Sequence, residues 1–183
     1  SLLKPRAEQS STDISIHVNE APRLIAAVEV NNYGSKSTGE YRVLPYLDIV
    51  NLTGRGDDLS FMGMHSIDGE GSYFARLAYN TPINSFGTKA AAYIYKGNVR
   101  VGEQLTILNI QGDNSGYGLG LQHDFVKDAR NFFQLESWFE SYDLKQTMLD
   151  EAYANDKIRK LRLVGNFERL GENNRSLYSV SLH

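Results

Sequence analysis

The sequence is 183 residues long, has a formal net charge of −3 and contains no cysteine. This length suits one domain. The lack of cysteine excludes disulfide bonds and thiolate metal sites within the sequence. The 19 Lys and Arg residues are scattered along the chain, which argues against a nucleic-acid partner because phosphate backbones are bound by clustered cations.

Hydrophobic residues alternate with polar ones, and no apolar run approaches the about 20 residues that a transmembrane helix needs. In the strand predicted at Arg23–Tyr33, Leu24 and Val28 share one face, and Glu29 lies on the other. The next predicted strand, Glu40–Val50, alternates in the same way. A period of two is typical of β-strands, whereas helices repeat near 3.6 residues.

The same alternation predicts seven more strands, at Asp58–Ser66, Ser72–Thr81, Thr88–Leu105, Gly116–Phe125, Phe132–Leu144, Ile158–Leu170 and Ser176–His183. About nine strands of some ten residues, joined in sequence, are the pattern of a membrane barrel. The predicted fold is therefore all-β, an antiparallel up-and-down transmembrane β-barrel. Because bacterial single-chain barrels have even strand numbers, we expect this chain to hold only part of the barrel.

The predicted connections alternate in length. Short ones lie at Gly54–Asp57, Asn84–Gly87 and Lys127–Arg130, and mostly longer ones at Ile67–Gly71, Thr106–Ser115 and Gln146–Lys157. Barrels alternate short periplasmic turns with longer outer loops, and Gly34–Gly39 would be a short outer loop. Within Met148–Arg162 we predict a loop with one helical turn.

Four charged residues fall on predicted strands at membrane depth: Glu29, Arg42, Asp48 and Arg76. An Arg or Lys that faces lipid at mid-depth costs about 2–4 kcal/mol. We therefore expect these side chains to face the lumen. Aromatic residues near predicted strand ends suggest interfacial girdles, and they include Tyr33, Tyr41, Phe86, Phe132 and Tyr142.

Three glycines, Gly116, Gly118 and Gly120, alternate inside the sixth predicted strand. They superficially resemble a nucleotide-binding loop, but no helix follows them, so this interpretation fails. Glycine inside a strand more often marks a place where something packs closely.

No catalytic or cofactor site is predicted. The four histidines, His17, His65, His123 and His183, are far apart without metal-ligand spacing, and there is no Gly-x-Ser-x-Gly elbow. We expect neither enzyme activity nor a metal or cofactor.

Two turn-rich stretches carry the most specific pattern. The first contains Asn32, Tyr33, Gly34 and Gly39, and the second contains Asn51, Gly54, Gly56 and Asp57. In the second stretch, we expect both glycines to supply positive φ and Asp57 to bond the local backbone.

These two stretches resemble the start of the barrel in two-partner secretion transporters, the haemolysin-activator and filamentous-haemagglutinin exporter family (TpsB). Here Asn31 stands where the family often has Asp, and Leu52-Thr53 replaces the usual Pro-Leu or Leu-Phe pair. The resemblance implies that residues 1–21 are the end of a periplasmic POTRA-like domain with its linker. It also implies that residues 22–183 are the N-terminal portion of the barrel. Ile14, Ile16 and Val18 would form the last POTRA strand.

The resemblance further implies an outer-membrane pore that exports a large adhesin- or haemolysin-type partner. Its expected partners are that secreted polypeptide and outer-membrane lipid, and the full-length barrel would be monomeric. Alternatives are another POTRA-containing barrel, such as an assembly factor, or a soluble β-barrel or β-sandwich binding module. The last would carry its apolar residues inside and its charges outside.

Overall fold

The computed structural model describes residues 2–5, 12–15, 22–68, 71–128, 130–171 and 174–182. Within these residues, the strands form one two-stranded and one nine-stranded antiparallel sheet. In the smaller sheet β1 (Leu2–Pro5) pairs with β2 (Thr12–Ser15). The larger sheet contains β3 (Leu24–Asn31), β4 (Arg42–Val50), β5 (Asp58–Ser66), β6 (Tyr73–Pro82), β7 (Thr88–Arg100), β8 (Gln111–Lys127), β9 (Asn131–Met148), β10 (Glu151–Leu170) and β11 (Arg175–Leu182).

Each strand of the larger sheet pairs with its neighbours in sequence, so that β3 and β11 are the two edges. This up-and-down order confirms the predicted fold class. Within the described residues, no helix is long and apolar enough to cross a membrane.

The pairing register divides the sheet into two chemically different faces. Residues that lie side by side across the strands on one face are called a row here. The apolar face includes the row Leu24, Ile49, Leu59, Tyr79, Ala92, Leu119, Phe139 and Leu161. The polar face includes the row Ile25, Asp48, Ser60, Ala78, Tyr93, Gly118, Glu140 and Lys160.

The apolar face is not covered by another layer. No hydrophobic side chain among the described residues is buried, and Val28, Leu119 and Leu161 are 69%, 55% and 71% exposed. The sheet is therefore not built around an apolar core.

The apolar residues of this face form a band, called the apolar band, that crosses the strands obliquely. The row that starts with Val30 and Val43 turns polar from β7 onward, where it continues as Asn98, Asp113, Lys145 and Asn155. On β10 and β11 the apolar residues lie toward the opposite end of the strands, at Leu163, Phe167 and Val180. A diagonal band of this kind is expected when strands are tilted relative to the layer that the band faces.

The prediction for Met148–Arg162 was wrong. Residues 151–162 are the first part of β10, and a two-residue turn, Leu149-Asp150, joins it to β9. Both turn residues have positive φ, 54° and 63°, as a type I′ hairpin turn requires. The predicted Gln146–Lys157 loop is therefore mostly strand, and the predicted rhythm of loop lengths breaks here.

The fifth and sixth strands also differ from the prediction. β7 ends at Arg100 rather than Leu105, and a 3-10 helix occupies Glu103–Leu108. β8 begins at Gln111, so half of the predicted Thr106–Ser115 loop is strand. Polar residues at the start of β8 hid this extension from a search for apolar alternation.

Two smaller differences concern the ends of elements. Tyr142 lies within β9 on the polar face, not at a strand end, because β9 continues to Met148. The N-terminal part has two paired strands instead of one, while Ile16, His17, Val18 and His183 lie outside the described residues.

Candidate functional site: the polar face and its turns

The polar face carries all four charged residues that the sequence singled out. In the β3–β4 pair, Glu29 lies opposite Leu44. In the same pair, Asp48 lies opposite Ile25, and Arg42 lies opposite Asn31. Arg76 lies opposite Tyr95 on β7. The structure therefore places these four side chains on one face but does not gather them into one cluster.

A cluster on the same face, which the sequence did not predict, is centred on Glu140 of β9. This carboxylate is 4% exposed. The hydroxyl of Tyr93 donates a hydrogen bond to its Oε1 at 2.8 Å. Lys160 Nζ and Arg162 Nε lie 3.1 and 3.5 Å from its Oε2. Charge pairing of this kind offsets the cost of removing a carboxylate from water.

Aromatic rings surround this carboxylate. The ring centroid of Tyr93 is 5.8 Å from that of Trp138, and the centroids of Tyr95 and Tyr142 are 6.2 Å apart. Arg76 lies over the Tyr93 ring, with its Cζ 4.6 Å from the centroid. This distance suits a cation–π interaction, which ties β6 to the group.

The rings lie on the glycines of β8. A Cβ atom at Gly120 would come 2.7 Å from the Trp138 ring, and one at Gly116 would come equally close to the Tyr95 ring. A Cβ atom at Gly118 would clash with the Tyr93 ring. The close packing expected at this alternating glycine run is present, and its partners come from both neighbouring strands.

Side chains from alternate strands therefore meet on the polar face. Tyr93 of β7 reaches Glu140 and Trp138 of β9 across β8. Side chains two strands apart converge on the concave side of a sheet and diverge on the convex side. These contacts indicate that the polar face is the concave one around β7–β9.

The Asn51–Asp57 turn forms a compact hydrogen-bonded unit. Gly54 and Gly56 have φ values of +83° and +78°. Asn51 Oδ1 accepts a hydrogen bond from the Gly56 amide at 2.7 Å. Asp57, 1% exposed, accepts hydrogen bonds from the Thr53 amide at 3.0 and 3.1 Å. The turn is thus held by the side chains at its two ends.

Asp57 also joins this turn to β6, since the hydroxyl of Tyr79 donates a 2.8 Å hydrogen bond to it. Burial alone would raise the pKa of Asp57, but the hydrogen bonds from Thr53 and Tyr79 outweigh it and lower the pKa below the ordinary value of 3.8. The charged form of this carboxylate therefore stabilises the turn.

The first turn motif lies at the opposite end of the strands. The Gly34 amide donates to the Glu40 carbonyl at 3.1 Å, Gly39 is buried against Ser66, and Tyr33 is 83% exposed. Asn32 is exposed. The loop is therefore closed on itself and packed against the end of β5.

Asp68 and the β7–β8 connection fix this loop in place. The Asp68 carboxylate accepts hydrogen bonds from the Glu40 and Tyr41 amides at 3.2 and 3.0 Å. The Gly102 amide donates to the Ser37 carbonyl at 2.7 Å. Three connections at this end are thus linked to one another.

Comparison with known proteins identifies the family. The family model described as "Haemolysin secretion/activation protein ShlB/FhaC/HecB" matches residues 10–163. The chain belongs to this family. The match includes both turn motifs and the strands of the Glu140 cluster.

Curated relatives and a solved structure agree with that assignment. HuxB, a heme/hemopexin transporter protein, is 29% identical over 115 residues in Haemophilus influenzae strain 86-028NP and 28% identical in strain KW20. The alignments cover 63% of this chain and 20% of HuxB. The structure of CdiB from Escherichia coli matches 98% of this chain and 34% of its own, with a TM-score of 0.80 and 14% identity. The chain thus spans about a third of CdiB and shares its fold.

Proposed function

We propose that the protein containing this chain is an outer-membrane pore that exports a partner polypeptide from the periplasm to the cell surface. In this proposal, residues 22–183 form the first part of the barrel wall, and residues 1–21 are the end of a POTRA-like domain. Membership of the haemolysin secretion/activation family supports export as the activity, and the printed name of HuxB describes a transporter. The pore needs no covalent chemistry, and it would act as a single barrel.

The separation of the two faces is the observation that carries the proposal. The apolar face is continuous from β3 to β10, with large side chains that are exposed on β3 and β6–β10 and half-buried on β4 and β5. An uncovered apolar surface of this kind suits contact with lipid. The polar face carries Glu29, Arg42, Asp48 and Arg76 in addition to the Glu140 cluster. On the concave side of a barrel, these groups would line a lumen of mixed charge, which suits an unfolded polypeptide in transit.

The soluble alternatives are less well supported. A soluble barrel packs apolar side chains inside, whereas the concave face here carries Glu140, Lys160 and Arg162. An assembly factor would share the fold, but the family model that matches is one of secretion proteins.

Deleting the gene for the full-length protein and restoring it on a plasmid tests the proposal. We expect the protein in the outer-membrane fraction, with a gel mobility that changes on heating as folded barrels show. Mass spectrometry of the medium and the cell surface should find at least one large polypeptide that disappears on deletion and returns on restoration. Recovery as a folded soluble protein, or an unchanged set of surface and released polypeptides, would contradict the proposal.

A further inference from the structure

Charged residues on the apolar face are confined to one sector of the sheet. Between Leu24 and Tyr79, the strands β3–β6 place no Lys, Arg, Asp or Glu on this face. At the end of the sheet where β7–β8 and β9–β10 are connected, the strands β7–β10 place five exposed cations on this face. Four of them are called the basic patch and are Lys96, Lys145, Lys157 and Arg159. The fifth, Arg100, is the last residue of β7.

The basic patch lies at the edge of the apolar band. Lys96 follows the exposed Ile94 by two residues, and Arg159 precedes the exposed Leu161 by two. Two residues of a strand rise about 7 Å. If the band contacts the hydrocarbon of a membrane, the cations stand at the level of the lipid headgroups, and their long side chains can reach along the surface.

The patch keeps a net positive charge after its acidic neighbours are counted. Asp143 forms an ion pair with Arg159 at 3.2 Å, and Asp113 accepts a hydrogen bond from Asn98 at 2.8 Å. Within the part of the chain that the structure describes, Lys96, Lys145 and Lys157 have no ion-pair partner. Three ammonium groups are thus available to an external anion.

The opposite edge of the band differs. There the apolar face of β6–β9 ends in uncharged or weakly basic residues. Among the described strands, Arg169 of β10 is the one Lys or Arg on the apolar face at this edge. The residues before it along this edge are Thr81, Thr88, His123 and Asn131. The excess of cations is therefore specific to one edge and one sector.

We propose that the basic patch binds the phosphate of an anionic membrane lipid beside β7–β10. This inference depends on the proposed function, because it requires the apolar face to contact lipid. Ammonium groups donate hydrogen bonds to phosphate oxygens without a fixed geometry, so the site selects charge more than headgroup shape. Each cation near an anionic surface contributes about a fivefold gain in binding, and salt weakens it.

Native mass spectrometry of the full-length protein, inserted in nanodiscs of equal parts phosphatidylglycerol and phosphatidylcholine, tests the proposal. We expect the released protein to retain phosphatidylglycerol in preference to phosphatidylcholine. Lys157→Gln should lower the ratio of retained phosphatidylglycerol to phosphatidylcholine about fivefold, and adding Lys96→Gln should lower it further. Lys89→Gln is the matched control, since it removes an exposed cation from the polar face of β7.

The outcomes separate this inference from the proposed function. An equal retention of both lipids by the wild-type protein, or the same loss with Lys89→Gln as with Lys157→Gln, would overturn the lipid site while leaving the pore intact. Failure of the wild-type protein to insert in the nanodisc would instead overturn the membrane placement on which both proposals depend. A preference that falls with Lys157→Gln, falls further when Lys96→Gln is added and persists with Lys89→Gln supports the site.

Discussion

The strands β3–β6 and β7–β10 are built on the same alternation but differ in length and in chemistry. The first group has 8 to 10 residues per strand, and the second has 13, 17, 18 and 20. A tilted strand crosses a membrane in about 9–11 residues. The first group is thus only as long as a crossing requires, whereas the second continues well beyond the apolar band.

The polar faces of the two groups of strands also differ, in how far their side chains contact one another. Among the described residues of β3–β5, the charged side chains form no connected network with aromatic rings. Glu29, for example, accepts a 2.6 Å hydrogen bond from its near neighbour Asn31. On β7–β10 the aromatic rings, Glu140 and its two cations form a connected network over the β8 glycines. This network lies at the level of the apolar band, in the row next to Leu119 and Phe139. Its cross-strand side-chain pairs stabilise the pairing of β7–β10.

The largest effect should come from an arginine placed inside the apolar band, compared with an arginine placed in the same row but beyond the edge of the band. Ala75 of β6 and Ser115 of β8 lie in the same row of the apolar face, two strands apart. Ala75→Arg should destabilise the full-length barrel by about 2–4 kcal/mol, because Ala75 lies within the band. Ser115→Arg, beyond the band, should cost about 0–1 kcal/mol. Urea titration of the protein in lipid vesicles, followed by gel mobility, measures both.

Equal costs for the two substitutions would mean that the band does not cross the strands obliquely. A lower cost for Ala75→Arg than for Ser115→Arg would contradict the assignment of the apolar face to lipid.

The next effect concerns the glycines of β8. Gly118→Ala should destabilise the protein by about 1–3 kcal/mol, since its methyl group overlaps the Tyr93 ring. Gly112→Ala is the matched control on the same face of the same strand, where a Cβ atom meets nothing within 4 Å. The same titration measures the difference, and a null result at Gly118 would show that the Tyr93 ring is free to move aside.

A smaller effect is expected for the hydroxyl of Tyr93. Tyr93→Phe leaves the ring on Gly118 but removes the donor to Glu140, so we expect a loss of about 1 kcal/mol. Tyr117→Phe serves as the control, because Tyr117 is on the apolar face and 42% exposed. If both substitutions have the same effect in the urea titration, the Tyr93–Glu140 hydrogen bond does not stabilise the long strands.

The smallest effect should appear only on acidification, in the turn between the short strands β4 and β5. Because the pKa of Asp57 is lowered in the folded protein, its contribution is complete above the unfolded value near 3.8 and is lost as pH falls through the folded pKa. Asp57→Asn removes this contribution at pH 7, so its stability difference from wild type should shrink between pH 4 and pH 2. Thermal unfolding across that range measures it, and a difference that stays constant with pH would contradict the role of the charge.

Alternation along single strands was sufficient to predict the number of strands in the large sheet and the composition of its faces. The bounds of β5 were predicted correctly from local signals alone, since Gly54 and Gly56 precede it and the Ile67–Gly71 turn follows. The start of β10 was missed because its turn contains Leu149-Asp150, whereas Asn-Gly is the common sequence for such a turn.

The Glu140 cluster could not be predicted in the same way. Tyr93 and Glu140 are 47 residues apart, and their contact depends on the register of two strand pairs. The glycines at Gly116, Gly118 and Gly120 were the available signal. They indicated that something packs on β8, but only the register identifies Tyr93 and Trp138 as the groups that do so.

The oblique apolar band has a consequence for how the hairpins find their partners. A slip of one residue turns every side chain to the wrong face and is readily rejected, but a slip of two residues keeps the faces and would otherwise go unnoticed. A two-residue slip of β7 against β6 in one direction would carry Lys96 toward the apolar side chains of β6. A slip in the other direction would leave Ile94 beyond the band. If the band contacts lipid as proposed, such a slip would bring a cation to the hydrocarbon or an apolar side chain to water, so the membrane would select the one alignment that keeps the edge of the band unbroken.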